Sequence, residues 1–248
     1  MRSWIIVIFI SVLVSCKNTN VGIYVPRSKS KPITTIDPAT AATITGTVHF
    51  EGAIPAAANI DMSNDPGCGA KLASSENLIV DHGDVANVFV YVKGGHGDRH
   101  FAAPQTPVII DQRDCRYVPH VLGVMTRQPV QILNSDSTTH NVHPIGNANH
   151  QWNASQLPNS QPLTKTFTEA EIMLPIHCNQ HPWMHMYLNV VDNPFYAVTE
   201  RAGRFELKGL PPGEYTIAAI HEQLGEQITK ITVGPKETKQ AAFTFQAK

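Results

Sequence analysis

Charge is scarce in this chain of 248 residues: 16% of it is charged, with 19 basic against 20 acidic residues and a formal net charge of -1. Without a basic excess, nothing electrostatic points to a nucleic-acid partner. Cysteine is scarce too, and four residues are too few for a disulfide-dense scaffold of this length. The one long apolar run, Trp4–Val14, is about half the length that a helix needs to cross a bilayer. Few segments sustain helical periodicity over three turns, and Thr168–Leu174 amounts at most to a short turn of helix. No Ser-His-Asp or paired-carboxylate arrangement stands out, which argues against a hydrolase, and no enzymatic activity is expected. What it does have is 42% hydrophobic residues, enough for one large or two small domains with real cores, and 12 His.

The N-terminus reads as an address. Arg2, the apolar run and then Leu13-Val14-Ser15-Cys16 have the order of a secretory signal. The last four residues resemble the lipobox of bacterial lipoproteins, which implies cleavage before Cys16 and acylation of that residue. Residues 1–15 are then a signal peptide. Residues 16–42, polar and Pro-containing, are a flexible tether. The resemblance places the protein in the cell envelope, on the periplasmic face of a membrane. Lys17 after the lipobox Cys argues mildly against inner-membrane retention and so points toward the outer membrane.

From Thr43 onward the apolar segments are short, often alternating, and rich in β-branched and aromatic residues. They include Ile44–Phe50, Val85–Val92, Val108–Ile110, Val130–Leu133, Leu188–Val191, Tyr215–Ile220 and Ile228–Val233. Gly, Pro, Asn and Asp separate them, which predicts an all-β protein of one or two sandwiches.

The densest chemistry lies at His177–Met186, with Cys178 and His181 spaced C-x2-H and Met184 following at H-x2-M. Upstream, Asn134 to His143 ends a strand and adds His140 and His143. Two imidazoles, one thiolate and a weak axial thioether are the donor set of a blue-copper site. Two His and one Cys could also hold zinc, but zinc rarely uses a thioether.

These residues resemble the cupredoxins, above all the amicyanin-like and plastocyanin-like members. The shared pattern is N-x-D at a strand end, H-N-V in the next loop, and C-x2-H-x2-M or C-x2-H-x4-M near the domain end. The resemblance implies one type 1 copper centre held by His140, Cys178, His181 and Met184, with His143 and Met186 as alternative ligands. It implies that Asn141 ties the ligand loops together and that Pro182 and Trp183 cover the metal. An apolar rim near Pro144, Pro182 and Trp183 is then the docking surface. His177 and His185 are expected beside the ligands or at the surface, and His82, His96, His100, His150 and His221 in loops or at the surface.

A second resemblance lies in Ala202–Ile217, which is similar to the G-x-F-x-L-x-G-L-P-P-G-x-Y-x-I core of carboxypeptidase-regulatory-like, transthyretin-like sandwiches. Such domains open on I-x-G-x-V, which Ile44–Val48 supplies. The expectation is a split sandwich, residues 43–100 and 194–248, with a cupredoxin Greek-key sandwich at 101–193 inserted in it or next to it. Tandem domains are the alternative. In an exported protein, Cys68 and Cys115 by default form a disulfide between the two units, against free thiols or a second metal site.

The function these resemblances imply is single-electron transport by a membrane-anchored copper protein, with a redox partner such as a cytochrome or dehydrogenase. A structural or glycan- or protein-binding envelope lipoprotein, and a copper storage or delivery protein, are the alternatives.

Overall fold

A computed structural model describes residues 31–69 and 72–247 of the chain. Cys16, the signal-like run and most of the tether lie outside the described residues. The described chain is all-β, with four sheets of four or five strands, a two-stranded ribbon and one 3-10 turn at Pro66–Cys68. Among the described residues no helix is long and apolar enough to cross a membrane.

Two sheets draw their strands from both ends of the folded region. In one, Ala42–Glu51 lies antiparallel to Arg204–Leu210 and parallel to Thr238–Gln246, with Asp84–Val85 and Val80–Asp81 extending it. The other runs Tyr196–Val198, Phe89–Gly94, Gly213–His221, Gly225–Val233. Alternating side chains of the two sheets, among them Ile44, Val48, Val90, Val92, Leu207 and Ile217, meet in one core. Tyr215 stiffens the Pro211-Pro212 turn by donating its hydroxyl to the Pro211 carbonyl at 2.6 Å.

The other two sheets come from the middle of the chain. One runs Leu163–Thr166, Pro129–Asn134, Val108–Arg113, Arg116–Val118, and the other Ala154–Gln156, His140–Pro144, Glu171–His177, His185–Val191, Val121–Met125. Ile110, Val130, Ile132, Val142, Leu174 and Ile176 form their shared core, which also takes in Cys178, Met184 and Met186.

A third apolar cluster joins the two pairs of sheets. Val90 and Val92 face the first core, while Phe89 and Tyr91 turn to the opposite side and meet Val121 and Val191. This accounts for the unbroken apolar run Val88–Val92. A strand covered on both faces has no reason to alternate. The longer run Val85–Val92 is nevertheless two strands. Asn87 sits at φ 60, and there the chain leaves the first sheet for the second.

Thr168–Leu174 also differs from a turn of helix. Residues from Glu171 belong to a strand whose register shifts between Glu171 and Leu174, with Met173 at φ 55 and its N–H donating to Asn189 Oδ1 at 2.9 Å. The bulge breaks the period-2 pattern that would mark a strand in the sequence.

Gly46 marks the tightest approach in the first sheet. A Cβ there would lie 1.8 Å from the Ala241 carbonyl oxygen and 2.5 Å from the Phe205 ring. Because the nearest obstacle is backbone, relief requires the parallel pair Ala42–Glu51 and Thr238–Gln246 to move apart. Gly46→Ala is therefore expected to lower stability by about 3 kcal/mol, read from chemical denaturation.

Candidate metal centre

Two loops bring the central residues together. Asn134 ends its strand by donating to the carbonyls of Thr138 and Gln156 and accepting from the Asp136 N–H. This closes the 135–139 loop and delivers His140 to the start of strand His140–Pro144. The second loop is closed by two backbone bonds, Cys178 N–H to Met184 O at 3.0 Å and Met184 N–H to His181 O at 2.9 Å. Asn141 connects the loops, since its Oδ1 accepts the Asn179 N–H at 2.7 Å and the Cys178 thiol at 3.4 Å. The buried Tyr117 hydroxyl donates to the Asn141 carbonyl and holds that residue in place.

The result is a convergence of three donor atoms. His140 Nδ1 lies 2.9 Å from His181 Nδ1, and Cys178 Sγ lies 3.7 Å from His181 Nδ1. All three residues are buried, and their donor atoms lie within 4.8 Å of one another.

The far side of each imidazole is held by a carboxylate. His140 Nε2 is 2.8 Å from Asp136 Oδ2, and His181 Nε2 is 2.8 Å from Asp65 Oδ2. Asp136 is itself fixed by the N–H groups of Asp114 and Cys115, and Asp65 by the Thr138 hydroxyl. The Thr138 hydrogen bond, then that of His181, holds the Asp65 carboxyl below the usual range. An ionised carboxylate only accepts, so each Nε2 carries the proton and each Nδ1 presents a lone pair. Two buried lone pairs 2.9 Å apart repel unless a cation lies between them. Burial pushes the His140 imidazole below its ordinary pKa, which disfavours a second proton in that role. A soft thiol completes a donor set that fits a thiophilic metal ion.

A disulfide between Cys68 and Cys115 brings the 65–68 turn against the outer edge of His181, with Cys68 Sγ 3.7 Å from His181 Nε2. Cys178 is the free thiol among the described residues. Trp183 donates its indole N–H to the Cys115 carbonyl at 3.2 Å, with its ring 5.1 Å from the His181 ring. His181 is thus roofed rather than presented at the surface, at 3% exposure. In the expected apolar rim, Pro182 is exposed and Trp183 half-buried, but Pro144 is buried and contributes nothing to it.

Met184 and Met186 are both fully buried. Met184 closes the ligand loop, whereas Met186 sits in strand register opposite Ile176. His143 is half-buried, with Nδ1 3.1 Å from Asn179 Oδ1, outside the donor cluster. His177 and His185 face each other across the strand pair. His221, expected in a loop or at the surface, is 1% exposed at the end of its strand, and burial pushes its pKa down to about 4.

The sequence reading missed Asp65 as a partner of the site, and it gave Asp136 no role beyond its place in the N-x-D pattern. Asp65→Asn removes the charge that orients His181 while keeping the side-chain shape. Loss of such an outer partner is expected to lower the affinity for a bound metal ion about 10-fold, measured by competition with a chelator.

No family model matches the chain, and no curated protein matches it. Among solved structures, a Cu-containing nitrite reductase from Thermus scotoductus SA-01 is similar at 18% identity with a TM-score of 0.34. It is aligned over 40% of this chain, which spans only 26% of that enzyme. An oxidised amicyanin variant aligns over 41% of this chain and 97% of its own, at 23% identity and a TM-score of 0.31. A Cu(I) amicyanin variant aligns over 39% and 96%, at 24% identity and a TM-score of 0.30.

Proposed function

We propose that this protein is a blue-copper electron carrier of the cell envelope, held at a membrane through an acylated Cys16. His140 Nδ1, Cys178 Sγ and His181 Nδ1 are the main ligands, and Met184 is the axial thioether. The observation that carries this reading is the buried pair of facing imidazole Nδ1 atoms beside one thiol. Copper would supply a one-electron couple, with a strongly covalent thiolate bond.

The chain's own part is positioning. Asp136 and Asp65 orient the imidazoles and raise their basicity. Asn141 holds the thiol against the other loop, and the cystine roof with Trp183 keeps water off. The two imidazoles and the thiol are each held by a side chain that itself accepts backbone N–H groups, so little has to move when the charge changes by one. Met184 is preferred to Met186 because it belongs to the closed loop of Cys178 and His181. The exposed Pro182 and the half-buried Trp183 beside it offer a small apolar patch for transient docking of a redox partner such as a cytochrome or dehydrogenase.

The test is optical. One equivalent of copper(II) added to the metal-free protein should produce an intense blue colour that a reductant bleaches. A colourless complex, as zinc-type binding would give, overturns the reading.

A further inference from the structure

A second group of side chains able to hold a metal, sharing no residue with the Cys178 cluster, lies where the two pairs of sheets meet. His120 is placed between the strands Arg116–Val118 and Val121–Met125, with its carbonyl accepting the Tyr187 N–H at 2.9 Å. His185 opens the strand that follows the ligand loop, and Glu222 lies in the turn between Gly213–His221 and Gly225–Val233. The chain thus draws on three distant segments to bring two imidazoles and one carboxylate within 4.8 Å of one another.

The three donor atoms are hydrogen-bonded or ion-paired to one another and close enough to converge on one cation. The carboxylate divides its two oxygens, with Oε1 2.5 Å from His120 Nε2 and Oε2 3.8 Å from His185 Nε2. Two imidazoles aim their Nε2 atoms at the one carboxylate. His185 Nδ1 lies 3.2 Å from the Trp183 carbonyl, to which only an N–H can bond. With that N–H on Nδ1, it is Nε2 that faces Glu222 and is placed to serve as the donor atom when a cation displaces its proton. This is the arrangement by which a backbone carbonyl fixes the tautomer of a metal-binding histidine. The His120 and Glu222 side chains are 4% and 5% exposed, so water does little to relieve the crowding. A cavity of about 20 Å³ beside His120 and His185, bordered by Glu76, Arg116 and Met184, leaves room for about one water or ion.

We propose that His120, His185 and Glu222 form a second metal site, for a borderline divalent cation of the zinc(II) or copper(II) class. Two imidazole nitrogens and a carboxylate oxygen suit these ions, and the adjoining cavity supplies the position for a water. Bound there, the ion fastens the turn at Glu222 to the strand that begins one residue after Met184. The site contains no thiolate, and the proposal stands independently of the blue-copper reading.

The experiment is metal counting on the full-length protein after one equivalent of copper(II), then excess zinc(II), then removal of free metal. Two equivalents of metal per chain are expected. Glu222→Gln should retain one, with the visible absorption of the thiolate site unchanged. His185→Gln should do the same while leaving the His120–Glu222 pair intact. It serves as the second variant if the first fails to fold, as judged by circular dichroism. Cobalt(II) added to the copper-loaded wild type should give weak d–d bands without a new thiolate charge-transfer band. A single equivalent in the wild type, or two in both folded variants, overturns the site. A second equivalent that disappears in the variants upholds it even if the copper complex is colourless, so its fate is separate from that of the blue-copper reading.

Discussion

Replacing Cys178 by serine is expected to abolish the visible absorption of the copper-loaded protein while leaving the fold intact. The colour arises from the thiolate–copper bond, and a hydroxyl cannot supply it. The surroundings make the substitution mild for the protein itself. Cys178 is 3% exposed, and its thiol already points at Asn141 Oδ1. A serine hydroxyl can donate to the same oxygen, so no polar atom is newly orphaned. The backbone bond from the Cys178 N–H to the Met184 carbonyl does not involve the side chain. A stability change of about 1 kcal/mol is the scale for such an exchange. Absorbance and thermal unfolding measured on the same sample check both halves. Retained colour would place the copper elsewhere.

The contrast between what the sequence disclosed and what it concealed follows sequence distance. Cys178, His181 and Met184 are neighbours in one loop, and their spacing alone reveals a donor set. The β segments were legible because alternation is local, and the expected runs at Ile44–Phe50, Val130–Leu133 and Leu188–Val191 fall inside strands. Where a strand is irregular, the signal failed. The bulge at Glu171–Leu174 spoils the period, and the turn at Asn87 is hidden inside an apolar run.

Long-range partners are a different matter. Asp65 reaches His181 across 116 residues, and Glu222 reaches His120 across 102. Nothing in an isolated aspartate next to Pro-Gly-Cys distinguishes it from a turn residue. Indeed Asp65 is also that, accepting the Gly67 N–H at 2.7 Å. Only the fold makes a turn residue into the outer partner of a histidine. The same holds for His221, which a single sequence cannot tell from a surface histidine but which is 1% exposed in the fold.

Removing the disulfide, by Cys68→Ser with Cys115→Ser, is expected to have the opposite signature to Cys178→Ser: a large loss of stability with the colour retained. The bridge joins residues 47 apart, and the loop-closure entropy it removes from the unfolded chain corresponds to about 4 kcal/mol. That is a large share of what holds a domain folded. The proposed copper ligands are secured by other means. His140 and Cys178 are held through Asp136 and Asn141, and Asp65 keeps its bond from Thr138 when the bridge is gone. Copper affinity is therefore expected to fall less than about 10-fold, within the range for loss of an outer partner. The roof over His181 does depend on the bridge, because Cys68 and Cys115 supply it together with Trp183. Faster exchange of copper with a soluble chelator should accompany the lost stability. Denaturation midpoints and chelator kinetics on the same variant separate the two effects. If stability is unchanged while the colour disappears, the bridge belongs to the site and not to the scaffold around it.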